Sequence, residues 1–505
     1  MLKKIFSRTV LTALLIAVQV AWLVFLFLRI SDALPQVNWG LRIISLIAVF
    51  FIIKDDTDPS YKIGWVLCIA FFPLFGGLMY LLFGNMRPAR RIRNRLNVEL
   101  ENTKKYYSGR KSVTDEIEDP VARGMFRYAE DVGGYAAAKN TTSEYFPVGE
   151  DMYAKMLPEL EKAKDFIFFE YFIINGGKMW DSILEIMRRK VAEGVDVRVI
   201  YDDVGCADYL PPKYYQTLRS YGIKAMTFNK FVPLVRTVMN NRDHRKICVI
   251  DGKVGFTGGI NISDEYINQK VRFGHWKDTG VMLKGPGVEN LTIMFLEMWN
   301  AFAERDGEYK DFVPAEYTEH GGKSDGYVLA FSDSPLDHEA VSESIYTDIL
   351  YQATDYVYIT TPYLAIDRSM ENALCLAAKR SVDVRMVTPG IPDKKLVFHL
   401  TRSYYAKLIK AGVKIYEYEP GFIHAKSFVS DDKFAVVGTI NLDYRSLNLQ
   451  FEDGALMFDT PAVKQLRDDD IETIKKSQRV ELMDCRTSFF GLLLDAILRM
   501  FAPTR

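Results

Sequence analysis

Apolar positions near the N-terminus come in long uninterrupted runs. Thr9–Leu28 and Ile63–Gly84 contain no charged residue, and the shorter apolar run Ile43–Ile53 lies between them. A run of about 20 apolar residues is long enough to cross a hydrocarbon core of roughly 30 Å. The pattern therefore predicts a membrane anchor over residues 1–86, built from two or three hydrophobic segments.

Basic residues on either side of these runs predict how the chain is oriented. Clusters of them lie before the first run and after the last: Lys3, Lys4, Arg8, Arg87, Arg90, Arg91, Arg93 and Arg95. Because Lys and Arg near membrane segments favour the cytoplasmic side, the larger second cluster predicts a multi-pass protein of the cell membrane with cytoplasmic catalytic domains. Three candidate segments cannot place both clusters on that side, so the number of spans and the side of the N-terminus stay open.

After a basic linker with helices, which we assign to residues 87–140, strands and helices alternate. Asp165–Ile174 and Val195–Tyr201 are apolar runs of strand length, and Met179–Val191 between them has helical spacing. Strands that alternate with helices predict a sheet covered by helices on both faces.

The second half of the chain repeats this order. Tyr356–Thr361 and Val382–Val387 have the pattern of strands, and Ser369–Lys379 between them has that of a helix. The tetrapeptide V-D-V-R occurs at the corresponding place in both halves. A period the size of a whole domain indicates a duplication. We therefore predict an α/β protein with two α/β/α units, residues 141–322 and 323–505.

Each predicted unit contains the pattern H-x-K-x-x-x-x-D. The first copy consists of His244, Lys246 and Asp251, and a glycine and an asparagine follow it. The second copy has the same residues at the same spacing: His424, Lys426, Asp431, Gly438 and Asn441, which match Gly258 and Asn261 of the first copy. Five matching positions in each half indicate that the two copies form one active site.

The spacing of the motif predicts a hairpin. Residues i and i+2 share a face of a strand, so His244 and Lys246 project together. A turn at Asp251 folds the chain back, which brings Gly258 opposite Lys246 and Asn261 beside His244; a glycine there leaves room for a ligand. Asp251 lies at the turn with the opposite parity, so we expect it and its counterpart to support the structure.

This set of side chains suits a phosphodiester. Ammonium and amide groups bind the non-bridging oxygens and stabilise added negative charge, while one imidazole attacks phosphorus and the other protonates the leaving oxygen. No cluster of carboxylates suggests a metal ion, so we expect neither a metal nor another cofactor. The candidate catalytic residues are His244, Lys246, Asp251, His424, Lys426 and Asp431, and the candidate substrate-binding residues are Gly258, Asn261, Gly438 and Asn441.

Composition narrows the class of substrate. The net charge of −1 provides no general attraction for nucleic acid. The five cysteines have no paired spacing, which argues against a disulfide scaffold or a structural zinc site. Together with the N-terminal apolar runs, this favours a lipid phosphodiester and no nucleic-acid partner. A non-catalytic membrane scaffold is disfavoured because it would not need two intact motifs.

The duplicated motifs resemble those of the phospholipase D superfamily, and the fuller pattern is similar to bacterial cardiolipin synthases of that type. Pro59–Gly84 resembles the membrane segment of that family. The other segments that carry the resemblance are Gly258–Ile262, Trp276–Asp278, Gly285–Gly287, Thr401–Tyr405, Tyr416–Tyr418 and Asn441–Ser446.

The resemblance implies duplicated phospholipase D-like α/β/α sandwich domains with N-terminal transmembrane helices. It also implies transfer of a phosphatidyl group between two phosphatidylglycerol molecules through a phosphohistidine, giving cardiolipin and glycerol without a metal. His244 would be the nucleophile and His424 the general acid and then base, although the residues alone leave that order open. Asp278 and Glu452 would orient the histidine rings. Hydrolysis of membrane phospholipids to phosphatidic acid is the alternative, because water can replace the alcohol.

Overall fold

A computed structural model of the chain describes residues 18, 35–54, 59–72, 76–77, 80, 84, 90–230, 241–303, 305–315, 326–336 and 339–501. The first apolar run, Thr9–Leu28, lies outside these residues apart from Val18. In the described N-terminal part, helix α1 spans Pro35–Lys54 and helix α2 spans Pro59–Phe71.

The predicted transmembrane helices receive no support from these two elements. Within the described part of the chain, no helix combines the length and the apolar character needed to cross a bilayer. The run Ile43–Ile53 lies inside α1, which also contains the charged residues Arg42 and Lys54. The run that begins at Ile63 extends beyond the end of α2 at Phe71, and α2 has only 13 residues.

The first half of the globular part forms one sheet with helices around it. Its helices are α3 (Arg90–Tyr107), α4 (Pro120–Gly133), α5 (Gly149–Glu161), α6 (Lys178–Ala192), α7 (Tyr214–Ser220) and α8 (Val288–Phe302). Its strands are β1 (Thr142–Phe146), β2 (Phe166–Tyr171), β3 (Asp196–Asp202), β4 (Lys224–Phe228), β5 (Lys246–Ile250), β6 (Val254–Gly258), β7 (His275–Lys277) and β8 (Gly280–Lys284). Seven of them pair in the order β1-β8-β6-β5-β2-β3-β4.

The second half contains the other large sheet. Its strands are β9 (Tyr327–Asp333), β10 (Tyr356–Thr360), β11 (Leu364–Ala365), β12 (Asp383–Pro389), β13 (Lys414–Tyr418), β14 (Gly421–Ile423), β15 (Ser427–Ser430), β16 (Phe434–Gly438), β17 (Leu442–Asp443), β18 (Glu452–Phe458) and β19 (Ser477–Arg479). Its helices are α9 (Val341–Gln352), α10 (Arg368–Lys379), α11 (Lys395–Ala411), α12 (Tyr444–Asn448), α13 (Pro461–Lys475) and α14 (Phe489–Phe501). The large sheet has the order β19-β13-β12-β10-β15-β16-β18-β9.

The two sheets have the same topology. The order β4-β3-β2-β5-β6-β8-β1 corresponds strand by strand to β13-β12-β10-β15-β16-β18-β9. In each sheet the first three strands run parallel and the motif strand, β5 or β15, pairs antiparallel with the third. Strands β2 and β10 are buried along their whole length, as expected where helices cover both faces. The predicted duplicated α/β fold is confirmed.

The halves share one apolar core at their contact. A single buried cluster contains Ile247 and Val249 of β5 together with Val429 of β15 and Val437 of β16. Strand β7 of the first half pairs in parallel with β14 of the second. The motif strands of the two halves therefore lie on either side of one interface, although the predicted domain boundary at residue 322 falls outside the described residues.

Candidate active site

Both motif histidines lie just before a hairpin strand, where the two halves meet. The backbone N–H of His244 donates to the carbonyl of Phe451 at 2.8 Å, and that of His424 donates to the carbonyl of Lys277 at 2.7 Å. The backbone of each histidine is thus hydrogen-bonded to a segment of the opposite half. Both imidazoles line one cavity of about 520 Å³, so the fold brings the two copies of the motif into one site.

The predicted hairpins are present in both halves. Ile250 pairs with Val254 in the first, and the backbone N–H of Gly438 donates to the carbonyl of Lys426 at 3.3 Å in the second. The lysine and the glycine therefore lie opposite one another, as the spacing predicted.

Each imidazole is held by a buried carboxylate from the opposite half. Glu452 Oε2 lies 2.8 Å from His244 Nδ1, and Asp278 Oδ2 lies 2.6 Å from His424 Nδ1. Both carboxylates are fully buried. An Nδ1–H that donates to a carboxylate leaves Nε2 as the free nitrogen of the ring. The exchange of carboxylates between the halves could not be predicted from the sequence, because it depends on how the sheets meet.

The motif lysines are also buried, close to the histidines. Lys246 Nζ donates to the carbonyl of His244 at 2.5 Å, and Lys426 Nζ donates to the carbonyl of His424. Lys426 Nζ also lies 2.8 Å from His424 Nδ1. That nitrogen cannot both donate to Asp278 and accept from Lys426, and we assign the hydrogen bond to the shorter contact, with the carboxylate.

Burial shifts the protonation of the whole cluster. It lowers the pKa of Lys246 to about 8 and that of Lys426 to about 7, and it raises the pKa of Asp278 and of Glu452 to about 7. The pKa of each histidine is lowered by burial and by the charges of the two lysines. A bound anion would favour the ammonium form of both lysines.

The motif aspartates form hydrogen bonds with the start of a neighbouring strand in their own sheet. The Asp251 carboxylate accepts the backbone N–H groups of Lys164, Asp165 and Phe166 at 2.8–2.9 Å. Asp431 does the same at the start of β10, where its carboxylate accepts from three successive backbone N–H groups at 2.7–3.0 Å. In both halves this carboxylate anchors the start of the strand beside the motif.

We expect Asp251→Asn to destabilise the fold while leaving the chemistry of the histidines in place. Asparagine keeps one acceptor oxygen but loses the negative charge, and hydrogen bonds to a charged group are worth about 1.5–3 kcal/mol. Thermal unfolding should show a lower melting temperature. In contrast, kcat measured well below that temperature should change by less than about threefold, a change as small as that of a substitution away from any special site. A loss of kcat with an unchanged melting temperature would contradict the anchoring role.

The motif glycines allow a close approach between strands. A Cβ atom on Gly258 would lie 2.4 Å from the carbonyl oxygen of Thr279, and Gly258 has a φ of +143°. A Cβ on Gly438 would lie 2.4 Å from the carbonyl oxygen of Asp453. The neighbouring strand thus occupies the space beside each glycine, a requirement that the hairpin spacing did not reveal.

The motif asparagines line the cavity and are held by local hydrogen bonds. Asn261 accepts from the backbone N–H of Ile173 at 3.1 Å and donates to Tyr266 Oη at 2.8 Å. Asn441 donates to Ser446 Oγ at 3.0 Å, and its buried Oδ1 has no hydrogen-bond partner within the described part of the chain. Both belong to the cavity that contains the histidines.

Aromatic side chains that sequence reasoning missed surround the two histidines. The rings of Tyr266, Trp276 and Phe422 have centroids 5.5–5.9 Å from that of His424, and the centroid of Phe172 lies 4.9 Å from that of His244. Phe172 directly follows the buried strand β2, and this position is the only feature of the sequence that could have indicated its place in the site. The rings narrow the access of water to the imidazoles.

Profiles of known families match the N-terminal part and both halves of the chain. A family profile described as "Cardiolipin synthase, PLD-like domain" matches residues 156–299 and 346–470, and one described as "Phospholipase_D-nuclease N-terminal" matches residues 43–85. The first profile covers most strands of the two sheets, with one match in each half, and the second covers α2 and the C-terminal part of α1.

Relatives match along nearly the whole chain. An uncharacterized protein of Streptococcus mutans is 46% identical over 90% of this chain and 99% of its own. Cardiolipin synthases of a Geobacillus species and of Alkalihalophilus pseudofirmus are 32% and 31% identical, each over 95% of this chain and over 96% and 97% of their own.

A solved structure shares the fold. The phosphatidylserine synthase of Haemophilus influenzae aligns with 75% of this chain and 97% of its own, with a TM-score of 0.56 and 14% identity. With both halves matched by the family profile and relatives above 30% identity along the chain, this protein belongs to the cardiolipin synthase family of phospholipase D-like proteins.

Proposed function

We propose that the protein transfers a phosphatidyl group from one phosphatidylglycerol molecule to another, giving cardiolipin and glycerol. The observation that carries the proposal is the pair of histidines in one cavity, each held through Nδ1 by a buried carboxylate of the opposite half. Two such imidazoles provide a nucleophile and a proton donor for one phosphodiester. Membership of the family and the names of its relatives favour a phospholipid as that phosphodiester.

In the first step, His244 Nε2 attacks phosphorus and the bond from phosphorus to the headgroup glycerol breaks. Binding of the phosphodiester anion favours the imidazolium form of His424, in which Nε2 also carries a proton. His424 gives this proton to the departing glycerol oxygen, so glycerol leaves neutral and the phosphatidyl group stays on His244. Lys246 and Lys426 stabilise the charge that builds up on the phosphoryl oxygens. Glu452 stabilises the positive charge that forms on the His244 ring.

In the second step, the terminal glycerol hydroxyl of a second phosphatidylglycerol takes the place of the departed glycerol. His424, now neutral, accepts the proton of that hydroxyl while its oxygen attacks phosphorus. The bond from phosphorus to His244 breaks, and His244 returns to its starting form. Cardiolipin is the product, and no proton is gained or lost over the two steps.

We further propose that the protein works at the cell membrane with its catalytic halves on the cytoplasmic side. Apolar side chains stand exposed on two helices outside the sheets, with Phe50 and Phe51 of α1 66% exposed and Phe489 and Phe490 of α14 76% and 79% exposed. Such faces bind the interface of a bilayer. Arg499 of α14 donates to Ser403 of α11, and α11 also lines the cavity.

If α14 rests on the bilayer, replacing Phe489 and Phe490 by serine should slow the reaction on lipid vesicles. Burial of one large apolar side chain is worth about 1.5–3 kcal/mol, so the loss of two should slow the reaction on vesicles by at least roughly tenfold, with little change for lipid in detergent micelles. Tyr351→Ser removes an exposed aromatic ring from α9 and is the matched control. Equal rates for the Phe variant and the control on vesicles would rule out this contact.

Product analysis tests the proposed reaction. Purified full-length protein is incubated with phosphatidylglycerol alone, and the lipids and the released alcohol are quantified by mass spectrometry. We expect cardiolipin and glycerol in equal amounts. Phosphatidic acid and glycerol without cardiolipin would show hydrolysis, and the absence of all three products would sink the proposal. Addition of phosphatidylethanolamine then shows whether another lipid serves as substrate.

A further inference from the structure

The two halves differ in charge at one position of the shared cavity. After each motif, the asparagine donates to a hydroxyl five residues later, Tyr266 Oη in the first half and Ser446 Oγ in the second. The residues directly before these hydroxyls are therefore structural counterparts. They are Glu265 and Arg445, and both line the cavity that contains the histidines.

These counterparts differ in how their charges are balanced. The Glu265 carboxylate accepts from the Ser263 hydroxyl and pairs with Lys270 at 3.1 Å. We assign the orientation of the Gln450 amide from its neighbours, so that its oxygen accepts from Arg445 Nε at 3.0 Å. Within the described part of the chain, its guanidinium forms no ion pair, and the nearest carboxylates act on it through charge alone. The cavity thus contains a cation without a protein counter-ion in contact.

Arg445 is connected to the His244 end of the cavity. The same Gln450 side chain donates to Glu452 Oε1 at 3.0 Å, and Glu452 holds His244. Burial, Lys246 and Lys426 lower the pKa of His244, and the charge of Arg445 lowers it further.

Glu265 lies at the other end of the cavity. It directly precedes Tyr266, whose ring centroid is 5.5 Å from that of His424. The two counterpart positions therefore carry a guanidinium near one histidine and a carboxylate near the other, although the two halves share one fold.

Two other arginines, Arg242 and Arg272, line the same cavity and differ from Arg445 in their surroundings. Arg242 is a second cavity arginine on the His244 side, but Asp202 binds its guanidinium through two nitrogens at 2.7–3.0 Å. That pair neutralises Arg242 within the protein. Arg272, the third cavity arginine, is exposed and hydrogen-bonds to Tyr209. Among the described residues, Arg445 is therefore the partly buried cavity guanidinium without an ion pair.

We propose that Arg445 is a phosphate-binding residue, which contacts the phosphodiester under attack and makes the two-fold site directional. A guanidinium binds phosphate oxygens through two parallel hydrogen bonds, whereas a carboxylate repels phosphate and accepts hydrogen bonds from hydroxyls. The phosphoryl group then lies toward His244 and Arg445, and the alcohol lies toward His424 and Glu265. The identity of the bound lipid rests on the proposed function, but the phosphate site does not.

Binding of inorganic phosphate by the full-length protein tests this site without requiring turnover. Removal of a hydrogen bond to a charged group costs a factor of about 10 to 100 in affinity, so Arg445→Gln should weaken phosphate binding by that factor. Arg445→Lys should recover part of the loss, and Glu265→Gln, the matched variant at the counterpart position, should bind at least as well as the native protein. Binding by Arg445→Gln within twofold of the native protein would overturn the proposal.

Kinetics with phosphatidylglycerol provide a second readout. Arg445→Gln should raise KM by about 10- to 100-fold and change kcat by less than about threefold, because an interaction present in both the bound state and the transition state affects KM alone. The fall in rate at acid pH should also move to higher pH, since a positive charge that disfavours protonation of His244 and of Glu452 is gone. A fall in kcat with unchanged KM and an unmoved pH profile would show a merely structural role. If the native protein makes no cardiolipin, the phosphate titration still tests whether Arg445 binds phosphate.

Discussion

His244→Ala should abolish turnover, with a loss of at least about 10⁴-fold in kcat. The variant lacks the nitrogen that forms the covalent intermediate, and removal of a nucleophile from a preorganised site leaves only the stabilisation provided by the other groups. The backbone N–H of residue 244 and its bond to Phe451 are kept, so the fold should survive. Rates of cardiolipin formation and melting temperatures of the native and variant proteins provide the measurement.

His424→Ala should behave differently from His244→Ala when the leaving group changes. Proton donation by a positioned group is worth about 10²–10⁴-fold, and that benefit disappears when the leaving group needs no proton. In a single turnover on a phosphatidyl ester of p-nitrophenol, His424→Ala should release the first equivalent of nitrophenol at a rate near that of the native protein, whereas His244→Ala should release none. The reverse pattern would exchange the roles of the two histidines.

The second large effect on kcat is expected when the carboxylates that bind Nδ1 of the two histidines are replaced. Glu452→Gln should lower kcat by roughly 10²–10⁴-fold, because an amide can hold the wrong tautomer of His244 and cannot stabilise the charged ring. Asp278→Asn should have a similar effect through His424. Glu371→Gln is the matched control, since Glu371 is a buried carboxylate that pairs with Arg368. Activity of Glu452→Gln equal to that of this control would refute the positioning role.

The pH dependence of kcat tests the same carboxylates. Burial raises the pKa of Glu452 and that of Asp278 to about 7, so both take up protons as the pH falls through that value and no longer accept from Nδ1–H. The rate should therefore fall below about pH 7. In Glu452→Gln the fall should be less steep, because one of the two titrating carboxyls has been removed. An unchanged steepness would show that other groups titrate.

The duplication and the hairpins could be predicted from the sequence because they depend on local order. Strand and helix periods repeat in both halves, and the turns at Asp251 and Asp431 set the register of each hairpin. The opposite strand parity of these aspartates also predicted a supporting role, and each carboxylate accepts three backbone N–H groups.

Features that depend on how the halves meet could not be predicted in this way. The pairing of His244 with Glu452 joins residues 208 positions apart, and that of His424 with Asp278 joins residues 146 apart. No periodicity extends over such distances. The glycines at 258 and 438 were predicted to make room for a ligand, but the space beside them is filled by the backbone of a neighbouring strand, whose position the hairpin alone does not define.

The difference between Glu265 and Arg445 was hidden for another reason. The two residues occupy the same position in the repeat, but comparison of the motifs emphasised what the halves share. Only the hydrogen bonds of Asn261 and Asn441 to the following hydroxyls establish that the positions correspond. A duplicated site is best understood from its matching residues first and from its mismatches afterwards.

Identification of the residue that carries the phosphatidyl group tests the central claim most directly. The full-length protein is mixed with ³²P-labelled phosphatidylglycerol, quenched in base within one turnover, and digested for mass spectrometry. The two-histidine site predicts label on the peptide that contains His244, none in His244→Ala, and loss of the label when unlabelled phosphatidylglycerol is added before the quench. Label on any other residue, or cardiolipin formation without a labelled protein, would contradict it.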